Sequence, residues 1–153
     1  MKFGMPLIAV RDMQVSKAFY QAVLSQNVKL DLGDYVELES LALRVNFEEL
    51  VGAGDLPITF RPNDHELYFD EEDFDGFLAR LAQYPDIAYL HQAKEYPWGQ
   101  RVIRFYDPDG HIIEVGECMD NVFRRFHQQG MNAQQIAERT QLPLDAVRRV
   151  VPS

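Results

Sequence analysis

The spacing of apolar residues in the first third of the chain changes from one element to the next. Leu7 to Val10 is an unbroken apolar run, which predicts a strand that is buried on both faces. After Asp12, a residue type that caps helix N-termini, apolar residues recur with helical spacing as far as Leu24. Three strand-like segments follow, at 28–32, 35–38 and 41–45. The predicted order of elements is therefore β, α, β, β, β.

The second half of the chain repeats this order. Glu66 to Phe69 predicts a strand, and Asp73 is placed to cap an amphipathic helix. The apolar residues of that helix have helical spacing, at Phe74, Phe77, Leu78 and Leu81. A strand at 87–91 and the hairpin of 99–117 complete the unit. Two copies of one supersecondary unit are the main architectural prediction.

The hairpin contains an acid in an apolar strand. Asp107 to Gly110 forms its turn, because Pro108 presets φ and glycine accepts the dihedral angles that other residues resist. Side chains alternate along the return strand, which puts Ile112 and Glu114 on one face. An internal carboxylate at Glu114 needs a cationic partner, a metal or water, and a strand near solvent is the alternative interpretation.

Composition divides the chain at two places. Residues 47–64 are rich in glycine, proline and acidic residues, and they predict a linker between module one (1–46) and module two (65–117). From 118 to 153 the sequence predicts a helical tail, with helices at 120–129, 133–140 and from Pro143 to about Val150.

Charge and cysteine content limit the classes of partner. The chain of 153 residues has a formal net charge of -9, which argues against nucleic acid as the main partner. Cys118 is the single cysteine, so an internal disulfide is impossible and a reducing compartment fits. Since no apolar run approaches membrane-spanning length, we expect a soluble cytoplasmic protein without a membrane partner.

The tail resembles a helix-turn-helix. Its apolar skeleton falls at Ile136, Ala137, Leu142, Leu144 and Val147. The second helix of the pair carries two arginines but few side chains that read bases, and a two-helix unit lacks its own core. We therefore favour an appendage packed on a sheet or on a partner subunit over a DNA-binding element.

Four segments together resemble the vicinal oxygen chelate superfamily, which includes glyoxalase I, bleomycin-resistance proteins and extradiol dioxygenases. They are LIAVRDMQVSKAFY, HELYFDEEDFDGF, PWGQR and FYDPDGHIIEVGE. The resemblance extends over both halves, from Met5 to Glu117. It implies an α+β fold in which two βαβββ modules form a cupped sheet around one site, and it implies a homodimer, because modules of this type usually pair.

The resemblance also implies where metal ligands would lie. The four positions fall at Met5, Arg44, Glu66 and Glu114, with His65 replacing Glu66 if the alignment slips by one residue. Only two of the four positions carry an oxygen ligand, whereas structural and catalytic metal sites use three or four donors. We therefore expect a degenerate site: no metal is the favoured interpretation, and a divalent cation at Glu66 and Glu114 is the alternative. If Arg44 points inward, an Arg44–Glu66–Glu114 cluster fills the cup.

Other side chains are candidates for contact with a ligand. Trp98 lies on a predicted loop close to Arg101, an arrangement that suits stacking on a flat or cationic molecule. Tyr68 is two residues from Glu66 and so shares its face of the strand. Alternatively, Trp98 covers the sheet or a dimer interface, and Tyr68 belongs to the core.

These observations lead to three functional hypotheses. The first is a glyoxalase- or bleomycin-resistance-like protein that binds or acts on a small molecule in the cup. The second is a metal-dependent lyase or dioxygenase in which Glu66 and Glu114 are catalytic, as metal ligands or as a general base. The third is a ligand-sensing regulator whose tail reads DNA. Whether the chain is an enzyme is left open; if it is, a glyoxalase-type lyase is expected.

Overall fold

A computed structural model describes residues 1–52 and 54–151 of the chain. In chain order its elements are β1 (Leu7–Ala9), α1 (Met13–Ala22), β2 (Val28–Asp31), β3 (Tyr35–Leu38), β4 (Ala42–Arg44), α2 (Phe47–Leu50), β5 (Glu66–Glu71), α3 (Phe74–Leu81), β6 (Tyr89–Glu95), β7 (Arg101–Tyr106), β8 (Ile112–Glu117), α4 (Met119–Gln128), α5 (Ala133–Thr140) and α6 (Leu144–Arg148). The order β, α, β, β, β occurs twice, as the sequence predicts.

The two copies also have the same sheet topology. One four-stranded sheet has the order β1-β4-β3-β2 and the other has the order β5-β8-β7-β6. In the first sheet β1 runs parallel to β4, and β3 is antiparallel to both β4 and β2. The predicted α+β fold of two βαβββ modules is confirmed.

Helix capping explains why both modules enter their helix at an aspartate. The Asp12 carboxylate accepts hydrogen bonds from the backbone N–H groups of Gln14 and Val15. The Asp73 carboxylate accepts one from the backbone N–H of Gly76, at 3.0 Å. Each cap satisfies donors that the first helical turn leaves free.

The structure differs from the predicted elements at two places. The segment predicted as a linker contains α2. Strand β6 begins and ends later than predicted, because its pairing with β7 extends to Glu95, opposite Arg101. Its last residues are polar and show no alternation, so the hydrophobic pattern does not predict the end of this strand.

The chain divides into two compact units. Unit 1 comprises residues 1–65 and 106–112, and unit 2 comprises residues 66–105 and 113–153. Unit 1 therefore includes the turn between β7 and β8, and unit 2 includes the helical tail.

In unit 1 the turn of the hairpin is held by buried carboxylates. Asp107 accepts hydrogen bonds from the Tyr20 hydroxyl at 2.9 Å and from the backbone N–H of His111 at 2.8 Å. Asp109 accepts one from the Ser16 hydroxyl at 2.7 Å. Burial, together with the neighbouring Asp107, raises the pKa of Tyr20 well above its ordinary value. Gly110 has a φ of +91°, which is the backbone conformation that the turn requires of it.

The helical tail has a hydrophobic core to which all three of its helices contribute. Helix α4 supplies the apolar residues that the pair α5 and α6 lacks on its own. The buried residues of this core are Val122, Phe123, Phe126, Ile136, Ala137, Val147 and Val151. Asn132 caps α5 in a reciprocal capping box with Gln135. None of the helices in the described part of the chain is long and apolar enough to cross a membrane.

Candidate functional site

The guanidinium of Arg104 lies between two carboxylates in unit 2. Its Nε donates a hydrogen bond to Glu66 Oε2 at 2.8 Å, and its Nη2 contacts Glu114 Oε2. The hairpin register explains the second contact. Asp107 N–H donates to the His111 carbonyl, which sets a pairing of β7 with β8 that places residue 104 opposite residue 114.

The three charged groups differ in their access to solvent. Glu114 is 7% exposed, while the side chain of Arg104 is 21% exposed and that of Glu66 is 40% exposed. Burial acts to lower the pKa of Arg104, but the hydrogen bond and charge of Glu66 outweigh it, so this pKa lies above its ordinary value. The buried carboxylate of Glu114 is thus neutralised by Arg104, and the second partner of Arg104, Glu66, reaches the surface.

Arg44 and the two glutamates of the predicted cluster belong to different units, and the cluster stays a prediction. Within unit 1, Arg44 Nη1 is 2.6 Å from Asp34 Oδ2. Within unit 2, Arg104 is a cation that contacts both glutamates. The Arg44 position comes from the resemblance, whereas the register of the hairpin indicates Arg104.

The donor set does not fit a divalent cation. Glu66 and Glu114 already share a guanidinium, which would repel a second cation at the same place. Of the other implied ligand positions, His65 contacts Asp64 within unit 1 through its Nδ1, at 2.6 Å. In residues 1–52 and 54–151, no group of three or more His, Cys, Asp or Glu side chains could hold a metal ion.

An aromatic pair adjoins Arg104. The rings of Tyr96 and Trp98 stack with their centroids 4.6 Å apart, and Arg104 Nη1 donates to the Tyr96 hydroxyl. The same nitrogen is 3.3 Å from Nε2 of His91. Trp98 is 37% exposed, so one part of this large ring remains available to a ligand.

Tyr68 joins the same face, as its spacing from Glu66 predicts. Its hydroxyl donates to Asp70 at 2.9 Å and accepts from Gln100 Nε2 at 3.1 Å. Partial burial and the hydrogen bond to Asp70 raise the pKa of Tyr68 to about 12. Gln100 Oε1 also accepts from Trp98 Nε1 at 3.1 Å, so Gln100 links the two aromatic side chains. Tyr68 itself is 51% exposed.

Arg101 lies on the opposite face of β7. Its guanidinium donates to the buried carboxylate of Glu117 at 3.1 Å and to Asp75 at 2.7 Å. These partners raise its pKa above the ordinary value for arginine, Glu117 contributing most. The structure therefore does not bring Arg101 to the face that carries Arg104.

Helix α4 fixes the loop on which Trp98 lies. Arg125 donates to Glu95 and to Glu117, each at 3.1 Å, and also to the backbone carbonyl of Gly99. Gly99 has a φ of +89°, and a Cβ at this position would lie 2.3 Å from a ring carbon of Phe126. The helical tail thus holds the turn between β6 and β7 by a guanidinium clamp and by close packing.

Sequence reasoning missed three members of the site: Arg104, Tyr96 and Gln100. Each could be found from the register of the hairpin and of β6 with β7, because alternation along β7 puts Arg104 on the face of Glu114. These three link the predicted residues Glu66, Tyr68, Trp98 and Glu114.

Comparison with known proteins identifies the matching family. The family of the glyoxalase-like domain matches residues 3–120. The match ends near the start of α4, so most of the helical tail lies outside it. No functionally curated protein matches the chain.

Solved structures share the fold. A protein of unknown function from Agrobacterium tumefaciens str. C58 is 36% identical, with a TM-score of 0.68 over 76% of this chain and 94% of that one. A lactoylglutathione lyase from Agrobacterium tumefaciens is 23% identical, with a TM-score of 0.59 over 76% of this chain and 92% of that one. The fosfomycin resistance protein FosX from Mesorhizobium loti is 16% identical, with a TM-score of 0.55 over 76% of this chain and 91% of that one. The last two likenesses concern the fold alone.

Proposed function

The chain belongs to the glyoxalase-like domain family of the vicinal oxygen chelate superfamily, and from this premise we propose that it binds a small molecule on the face of unit 2 that carries Arg104. Binding on this face uses no divalent metal at Glu66 and Glu114. Fold alone does not assign a function in such a family, so the proposal rests on the side chains of this face.

The observation that carries the proposal is the contact of Arg104 with both glutamates. The guanidinium occupies the place at which a cation would otherwise neutralise Glu66 and Glu114. Because Arg104 holds these groups in place before any ligand arrives, the face is preorganised for recognition.

The exposed groups of this face indicate the chemistry of its ligand. Glu66 and Asp70 are exposed carboxylates, and Trp98 and Tyr68 present exposed aromatic surface beside them. Three carboxylates stand against two cations, Arg104 and the Lys94 ammonium over the Tyr96 ring, so the face is net acidic by one charge. A flat aromatic cation complements both features, because it stacks on the rings and is attracted by the acids.

The metal-dependent lyase or dioxygenase alternative requires three or more donors, and the described residues of unit 2 do not assemble them. We propose that this face binds a ligand, and the proposal does not require catalytic turnover. A carboxylate at Glu66 that reaches solvent beside a bound molecule would also be placed to accept a proton from it.

Calorimetric titration with N-methylquinolinium, a flat aromatic cation, tests the proposal. We expect saturable binding to the full chain, and weaker binding to quinoline carboxylate, which has the same ring system and the opposite charge. Glu66→Gln should weaken cation binding about fivefold, the effect of losing one partly screened charge. The control is Glu138→Gln, an exposed glutamate of the tail. Equal affinity for cation and anion, or no binding of either, would refute the proposal.

We also propose that the chain forms a homodimer, as the resemblance to its superfamily implies. Light scattering on the purified protein should then give twice the chain mass of 17.7 kDa. A mass equal to that of one chain would contradict this assembly.

A further inference from the structure

Unit 1 contains a cavity that the proposed function does not use. Its volume is about 410 Å³, and it lies at the carboxyl ends of the parallel strands β1 and β4. Residues that follow these strands line it together with part of the segment 54–60. The volume is within the usual range for sites that bind small molecules.

Seven of the twelve residues that line the cavity are aliphatic or aromatic, and charged and amide side chains lie among them. Its aliphatic and aromatic side chains include Val10, Val45, Phe47, Leu56 and Ile58. Leu56 is exposed to solvent. Covering a large aliphatic side chain with a ligand lowers the free energy, because apolar surface leaves water. The cavity therefore suits a ligand with an apolar body.

Arg11 is the one cation among the described residues that line the cavity, and the N–H donors of its guanidinium lack acceptors. The guanidinium of Arg11 lies 3.8 Å above the ring of Phe60, which also lines the cavity. Its Nη1 is 3.8 Å from Asp109 Oδ1, which is too long for a hydrogen bond. In the part of the chain that the structure describes, no acceptor receives a hydrogen bond from this guanidinium; the oxygens of Asp109 accept from the backbone N–H of Arg11 and from Ser16.

We propose that this cavity binds a small organic monocarboxylate with an apolar body. When the face of a guanidinium stacks on a ring, the N–H groups along its edge stay free. Two of these N–H groups donate parallel hydrogen bonds to one carboxylate. Glu48 and Asp55 also line the cavity, and Asp109 is close to Arg11. These acids oppose a second negative charge, so a dicarboxylate of similar size should bind more weakly than a monocarboxylate.

NMR titration of the full ¹⁵N-labelled chain with isocaproate tests this site. We expect saturable shifts of the backbone amides of Ala9, Arg11 and Phe47, which line the cavity. Isocaproamide, which has the same skeleton without the charge, and adipate, which carries two charges, should bind at least about tenfold more weakly. Trp98 should keep its emission during the titration, which separates this site from the face of Arg104.

Two arginine variants provide a matched pair. Arg11→Met should raise the dissociation constant for isocaproate at least about tenfold, as expected for a lost charge-assisted contact. Arg61→Met is the control, because its guanidinium also lies over an aromatic ring, at 4.0 Å from the Tyr106 centroid, but does not line the cavity. The absence of amide shifts at the cavity, equal affinities of Arg11→Met and wild type, or equal binding of isocaproamide would each overturn the proposal.

Discussion

Arg104 and Glu114 lie opposite each other on neighbouring strands, and their charged groups are in contact. Glu114 is buried, so its carboxylate depends on this guanidinium for compensation of its charge. The same guanidinium extends to Glu66, which is exposed. This relationship explains how an acid is tolerated inside an apolar strand.

Replacing Arg104 should lower the free energy of unfolding far more than removing the charge on Glu114. We predict that Arg104→Met lowers the free energy of unfolding by about 3 kcal/mol, because a buried carboxylate loses its cation. Glu114→Gln should cost only about 1 kcal/mol, because the amide has the same shape and Arg104 keeps Glu66. Chemical denaturation of each variant measures both values.

The double variant supplies the control for this pair. If the two groups interact, the cost of Arg104→Met combined with Glu114→Gln should be smaller than the sum of the single costs. Strict additivity would mean that the contact between Arg104 and Glu114 does not contribute to stability.

Arg125 should position Trp98 from a distance. We predict that Arg125→Met lowers the anisotropy of Trp98 emission and weakens binding of N-methylquinolinium about threefold, because the loop loses its clamp to α4. Arg124→Met is the control, since among the described residues the polar partners of Arg124 are Asn121 and Asp120 of its own helix. If both variants change the anisotropy equally, the clamp does not act through the loop.

The sequence predicts much of this architecture because its signals are local. Capping aspartates, apolar periodicity and the turn at Asp107 to Gly110 each act over a few residues, and all of these are confirmed. Arg104 was missed because its role depends on the pairing of two strands. The core of the tail was missed for a similar reason, since it needs α4 as a third helix.

The hydrogen bond from Tyr20 to Asp107 should stabilise unit 1. We predict that Tyr20→Phe lowers the free energy of unfolding by about 2 kcal/mol at neutral pH, because the buried carboxylate loses a donor. Tyr106→Phe is the control: its hydroxyl donates to Asn63 in an exposed setting, and its loss should cost less than about 0.5 kcal/mol.

The effect of Tyr20 on stability should also depend on pH. Its pKa is raised in the folded state, so its contribution is complete below the ordinary tyrosine pKa of about 10 and is lost as pH rises above it. The difference in stability between wild type and Tyr20→Phe should therefore shrink above about pH 10. A difference that stays constant from pH 8 to 11, roughly either side of that pKa, would contradict this account.

Cys118 should react slowly at neutral pH. Partial burial raises the pKa of its thiol, and the nearby charge of Asp70 adds to the effect. We predict that the rate of alkylation by iodoacetamide rises with pH to a midpoint above that of free cysteine, and that Asp70→Asn lowers this midpoint. Because Cys118 is the single cysteine, mass spectrometry of the intact chain follows the reaction directly. A midpoint at or below that of free cysteine would be inconsistent with the partly buried position.

The central claim concerns the face that carries Arg104, and the most direct test is a titration followed by the emission of Trp98. This residue is the only tryptophan of the chain, so its fluorescence reports on this face alone. We predict that N-methylquinolinium quenches Trp98 saturably, and that its apparent dissociation constant rises in Glu66→Gln but not in Glu138→Gln. Quenching that grows linearly without saturation, or that is the same in all three proteins, would contradict a ligand site on this face.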